Sequence, residues 1–290
     1  MARTVLGIIG GSGVYDIPGL EKPRWKRIES PWGEASDELL FGTFKGVDLV
    51  FLPRHGRGHV QSPTSINYRA NIDALKRAGV TDVISVSACG SLQEHLPPGS
   101  FVLVDQFIDR TFARAKSFFG AGLVAHVAFG HPVCSRVSDA LGRAGKEAGI
   151  PMHAGGTYVC MEGPQFSTLA ESNLHRSWGA SVVGMTNMPE AKLAREAELC
   201  YATVAMVTDF DCWHPDHDHV TVEMIVSVLL ENADTARALV KAVVPLLAED
   251  ADCPEGCRHA LDHALITAPE ARDPALVAKL DAVAGRVLIR

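Results

Sequence analysis

Along this chain, short runs of unbroken apolar residues alternate with stretches in which polar and apolar residues recur at helical spacing. The runs Thr4–Ile9, Val47–Leu52, Asp82–Ser87, Phe101–Val104, Ser181–Met185 and Tyr201–Val207 are rich in Val, Ile and Leu and show little alternation. A strand with water on one face alternates, so continuous runs predict strands buried on both faces. Between them, Ser65–Ala78 opens with a capping residue and stops at Gly79. Thr168 and Glu171 stand at capping-box spacing before a helix that ends near Gly179. Pro189 fits the first position of a helix running to about Leu199, and Thr221–Leu247 carries a long helical period. The alternation predicts a single α/β domain with a mixed, mostly parallel central sheet flanked by helices. The one shift in composition is AEDADCPEGC, which breaks the last long helix. A main domain of residues 1–247 and a helical tail of residues 248–290, packed on it or on a neighbouring subunit, are therefore expected.

Composition narrows the partners. With 290 residues, 47% hydrophobic and 21% charged, the chain can bury a sizeable core without staples. Its net charge of −7 and pI near 5.9 argue against nucleic acid, which calls for a basic stripe. A small anion held by one or two arginines remains compatible. The opening MARTVLGIIGGSG has no secretory pattern, and no apolar stretch reaches the ~18–20 residues of a membrane span, so a cytoplasmic protein is expected. Seven cysteines, mostly single within apolar runs, read as buried reduced thiols. Cys253 and Cys257 alone are close enough to close a small disulfide loop, or else to stand as idle thiols.

Chemistry gathers where strands end. Gly10-Gly11-Ser12-Gly13 lets backbone amides approach an anion, although it matches neither the dinucleotide fingerprint nor the P-loop, and a plain turn fits it equally well. Pro53-Arg54-His55-Gly56-Arg57-Gly58-His59 can clamp an oxyanion or stand as a solvated basic loop. Ser87-Ala88-Cys89-Gly90-Ser91 offers small residues for close approach of a ligand. Asp209 and Asp211 share a side of the chain if it stays extended, so a pocket there can raise a carboxyl's pKa and make it a proton donor. A divalent metal or a helix cap are the other uses of such a pair. The cluster His214-Pro-Asp-His217-Asp-His219 lacks zinc-motif spacing and reads as a polar loop over the pocket, so no metal ligand is assigned.

In their order, IIGGSGVYD, PRHGRGH with SINYRANIDALK, SACGSL, DQFIDRT, MEGPQFST, GMTNMPEA and TDFDCW resemble the trimeric methylthioadenosine phosphorylases of the purine nucleoside phosphorylase superfamily. The resemblance spans residues 4 to about 245. It implies a nucleoside phosphorylase fold, a homotrimer with sites shared across its interface, and phosphorolysis of an adenine nucleoside with phosphate as co-substrate and no resident cofactor. By the same resemblance Ser12, Arg54, His55, Ser87, the amide of Ala88 and Thr186 form the phosphate site. Phe166 and Val183 line the purine, Met185 lies along the ribose, and Asp209 and Asp211 face the base. Val222 and Ile225 line the 5′ pocket, and His126 reaches the 5′ substituent in a neighbouring subunit. Enzymes of the superfamily that take 6-oxopurines typically place Asn and Glu where this chain has Asp209 and Ser167, which favours adenine. Broader or 6-oxopurine specificity, a non-catalytic nucleoside binder and a metal-dependent hydrolase are the competing readings.

Overall fold

The computed structural model describes residues 4–11, 13–215, 222–248 and 251–288, with the side chains of residues 222–226, 229 and 231 not described. Among the described residues, eleven strands form one sheet: β1 Val5–Gly10, β2 Glu21–Lys26, β3 Leu39–Phe44, β4 Val47–Pro53, β5 Asp82–Ser91, β6 Phe101–Val104, β7 Gln106–Asp109, β8 Met152–Ala154, β9 Thr157–Cys160, β10 Val182–Gly184 and β11 Cys200–Asp209. The helices are α1 Tyr68–Arg77, α2 Ser135–Glu147, α3 Leu169–Ser177, α4 Asn187–Glu196, α5 Val222–Val243, α6 Pro274–Lys279 and α7 Asp281–Leu288.

The apolar runs are continuous because each central strand feeds two cores. In β1, Ile9 packs into a first buried cluster and Leu6 and Ile8 into a second. In β11, Tyr201, Ala205 and Val207 face the first cluster, while Ala202, Val204 and Met206 face the second. Helices α1 and α4 cover one face through Ile72, Leu75, Leu193 and Ala194; α2 and α5 cover the other through Val137, Leu141, Leu239 and Val240. Each fully buried aliphatic side chain contributes roughly 1.5–3 kcal/mol relative to exposure. The sheet is mixed: β1 pairs parallel with β4 and β5, and β5 parallel with β11, while β10 and β6 join antiparallel to β5 and β11. The expected fold class is what the structure has.

Local chemistry sets the helix ends. The capping box at Thr168 and Glu171 is present with both bonds formed. Helix α1 is capped by Asn67 rather than Ser65, and Gly79 beyond its end takes φ +84°, where a side chain would be strained. Inside α4, Met188 is non-helical, so the regular helix starts at Pro189 as its fixed φ favours. The long helix expected to Leu247 ends at Val243 and tightens into a 3₁₀ turn, Val244–Leu247. After residue 251 the tail packs back on the same chain: Leu261, Leu280, Val283 and Ala284 enter the first core, and Arg286 pairs with Glu198. Among the described residues no helix is long and apolar enough to cross a membrane.

Candidate active site

The C-terminal ends of β4, β5, β10 and β11 open onto one cavity of about 460 Å³. In open α/β sheets ligands collect at such ends. Of the residues singled out in the sequence, Arg54, His55, Ser87, Ala88, Phe166, Val183, Met185, Thr186, Asp209 and Asp211 all line it. Ser12 lies outside the described residues, although its neighbours Gly11 and Val14 line the cavity. Val222 and Ile225 open α5, which contributes Ala233 to the wall, but their side chains lie outside the described residues, as do His217 and His219. His126 does not line this cavity. Its amide donates to the Ala264 carbonyl, and it borders a separate surface hollow with Arg195, Glu255 and His259.

At one end of the cavity the donors are already organised. The Arg54 guanidinium is buried against Glu190 through two bonds of 2.8 and 3.2 Å, and it also donates to Ser85 Oγ and the Val86 carbonyl. These four bonds use four of its five N–H donors, leaving one among the described residues for a ligand. The ion pair is inaccessible to water, with side chains 3% exposed on both sides. Removing Arg54 therefore does more than delete a ligand donor, because a stranded buried carboxylate costs about 3–5 kcal/mol.

His55 places Nδ1 2.9 Å from the Gln61 carbonyl, which can only accept, so the proton of the neutral ring sits on Nδ1. Burial, reinforced by Arg54, lowers its pKa to about 4. Its Nε2 is then an acceptor, suited to a protonated phosphate oxygen. The ring stacks on His59 with centroids 4.1 Å apart. Ser87 Oγ and Thr186 Oγ1 lie 3.1 Å apart, so these two hydroxyls, 99 residues distant in sequence, form one donor pair.

The other end is built by an irregularity. Strand β11 runs in register with β5 up to Val207 opposite Cys89, then slips so that Asp209 stands opposite Gly90. Thr208 is the extra residue of this bulge, a device that re-aims the side chains beside it. Asp211 adopts φ +54°, a left-handed conformation that costs a non-glycine residue about 1–3 kcal/mol and is concentrated at functional sites. Its amide donates to Asp209 Oδ1 at 2.8 Å. A Cβ on Gly90 would stand 2.8 Å from that same Oδ1, so only glycine admits the carboxyl there.

Burial raises the Asp209 pKa to about 6 against the pull of Thr208 and the Asp211 amide. Thr208 Oγ1 donates to Asp209 Oδ2 at 2.6 Å, with the Cys89 carbonyl 3.2 Å away as the hydroxyl's alternative acceptor. Burial raises Asp211 too, against the pull of the Ser172 and Ser167 hydroxyls. Two carboxyls, both raised by burial, thus share one wall.

Sequence reasoning missed Glu190, which anchors Arg54, and the pair Arg114–Glu162. Arg114 is fully buried and donates to the carbonyls of Met185, Met188 and Glu162, fixing the walls that carry Met161 and Met185. Although burial raises the Glu162 carboxyl, bonds from Thr64, the Phe112 and Ala113 amides and Arg114 bring it down to about 2. Glu162 and Glu190 lie within the MEGPQFST and GMTNMPEA stretches, but a lone Glu beside small residues carries no sign of its partner. Arg114 lies just beyond DQFIDRT.

Comparison with known proteins shows the family. The family described as the phosphorylase superfamily matches residues 5–245. The S-methyl-5′-thioadenosine phosphorylase of Cereibacter sphaeroides is 64% identical over 99% of each chain, and that of Rhodospirillum rubrum 65% identical over 99% of this chain and 98% of its own. The crystal structure of a methylthioadenosine phosphorylase from an Antarctic soil metagenomic library superposes with a TM-score of 0.92 at 47% identity, covering 98% of this chain and 99% of that one.

Proposed function

The chain belongs to the phosphorylase superfamily, and from that membership and the geometry of its cavity we propose that it splits S-methyl-5′-thioadenosine with inorganic phosphate into adenine and 5-methylthioribose 1-phosphate. The observation that carries the reading is the carboxyl pair at the base end: Asp209 and Asp211, both raised by burial, on the wall of the cavity.

Phosphate binds at the Arg54, His55, Ser87 and Thr186 end, with the Ala88 amide and Ser12 completing its contacts. Its oxygen attacks C1′ while the C1′–N9 bond breaks and the electron pair leaves with the purine. Positive charge on the sugar is stabilised by the incoming anion. Negative charge on the base is relieved as Asp209 gives its proton to N7. The Asp211 carboxylate accepts from the 6-amino group, a bond that a 6-oxo group cannot make. Sites built on such a bond reject the analogue lacking it by roughly 10⁴–10⁵. Phe166 and Val183 flank the base and Met185 the ribose. Val222 and Ile225 favour a buried methylthio group, and His126 reaches the 5′ substituent held by a neighbouring subunit of a homotrimer. Phosphate is a co-substrate and the reaction calls for no resident cofactor. The same reading places the enzyme in the cytoplasm, where thiols stay reduced.

The test is base release from methylthioadenosine, adenosine, methylthioinosine and inosine, each with and without phosphate. Phosphate-dependent release of adenine, fastest from methylthioadenosine, is expected. Faster hypoxanthine release would overturn the role given to Asp211, and release without phosphate would make the chain a hydrolase.

A further inference from the structure

At the N-terminal end of β11, away from the end that opens onto the cavity, four cysteines converge from three separate segments. Cys134 is the residue before α2, Cys200 opens β11, and Cys253 and Cys257 bracket the turn that begins the tail. Their Sγ atoms all lie within 4.8 Å of one another, and none is joined in a disulfide. Four thiolates around one ion at the usual ~2.3 Å would stand about 3.8 Å apart, so small side-chain adjustments bring these sulfurs to a tetrahedron.

We propose that Cys134, Cys200, Cys253 and Cys257 are a tetrathiolate site for a zinc-class divalent cation, which ties the C-terminal tail to the body of the domain.

Several features fit an ion rather than four idle thiols. Cys253-Pro-Glu-Gly-Cys257 has a three-residue spacer, inside the two-to-four-residue range by which one turn presents two ligands to zinc. Gly256 takes φ +59°, closing that turn. The Cys257 amide donates to Cys253 Sγ at 3.0 Å, a bond that supports negative charge on the sulfur. Cys134, Cys200 and Cys257 are buried, which keeps water from competing, while the half-buried Cys253 leaves an entry path. Binding displaces four thiol protons to solvent as four metal–sulfur bonds form, and no oxidant is required.

The experiment is metal analysis of the full chain, isolated under reducing conditions without chelator from cells grown with zinc. About one zinc per chain is expected, released when a mercurial blocks the thiols. Cys253→Ser and Cys200→Ser should each lose most of that zinc, and Cys212→Ser none. Because a serine variant can fail to fold, wild-type protein loaded with cobalt provides a second readout. A tetrathiolate site gives the intense absorption of tetrahedral cobalt with sulfur-to-metal charge transfer. Wild-type protein that binds neither zinc nor cobalt, with all seven thiols titrating freely, would overturn the proposal. So would intact-mass data showing that the cluster pairs into disulfides under the same reducing isolation.

Discussion

Asp209 shows how one side chain can be a liability to the fold and an asset to the chemistry. Its folded pKa of about 6 lies above its ordinary value of 3.8, so the stability it contributes is complete below about 3.8 and is lost as pH rises through 6. Asp209→Asn removes the ionisation. The variant should therefore gain thermal stability relative to the parent at pH 8, a gain that shrinks below pH 6 and vanishes below about 3.8, which paired melting curves will measure. Its turnover of adenine nucleosides should fall by about 10²–10⁴, the usual worth of a positioned proton donor, with the KM for phosphate nearly unchanged. In the parent, kcat/KM should decline as pH rises through about 6, and that limb should vanish in the variant. Wild-type turnover in Asp209→Asn would remove it as the general acid.

At the scale of elements, the paired ends of β5 and β11 do what neither strand does alone. Gly90→Ala introduces a methyl 2.8 Å from Asp209 Oδ1 and 3.2 Å from the Asp211 amide, and neither backbone nor carboxyl can yield without unmaking the bulge. We expect a cost of about 1–3 kcal/mol in stability from overpacking. Turnover should fall by roughly 10²-fold from the displaced acid, while phosphate KM holds. Steady-state kinetics with a melting curve will separate the two effects, and unchanged kcat would show that Gly90 imposes no constraint.

These elements also show what a sequence displays. Every apolar run became a strand because burial on two faces writes itself as an unbroken Val, Ile and Leu pattern. Strand β2, Glu21–Lys26, was invisible because it is a largely exposed edge with a polar sequence. Helix α2 was hidden by Gly142 and Gly145, which propensity reads as breaks although the helix packs them against Leu103 and Met152. In the site, donors that follow strand ends were legible. Glu190, Arg114 and the meeting of Cys134 with Cys257 were not, since each is defined by a partner that only the fold supplies.

At the scale of the whole molecule, His126 stands apart from its own cavity, held on the tail side by Ala264, as a residue serving a neighbour's site would be. The proposed sharing has a direct test. An Asp209→Asn chain lacks its acid but keeps a His126 to lend, and a His126→Ala chain has the converse defect. Co-expressed, the two should form mixed trimers in which some cavities are intact on both sides. Activity towards methylthioadenosine should then exceed the mean of the two parent variants, measured at equal total protein. Activity equal to that mean would confine each site to one chain.

Strand β5 presents Ser87 to one end of the cavity and Gly90 to the other. Three residues of extended chain measure about 10 Å, the scale of a phosphate, a pentose and a purine set in line. The strand therefore acts as a fixed gauge, with the distance between nucleophile and leaving group counted in peptide units. A gauge held in register against β11 cannot be lengthened by a residue without turning the side chains beyond the insertion to the opposite face. Changes of substrate within this scaffold must then be made in the loops at either mark, leaving the interval between them untouched.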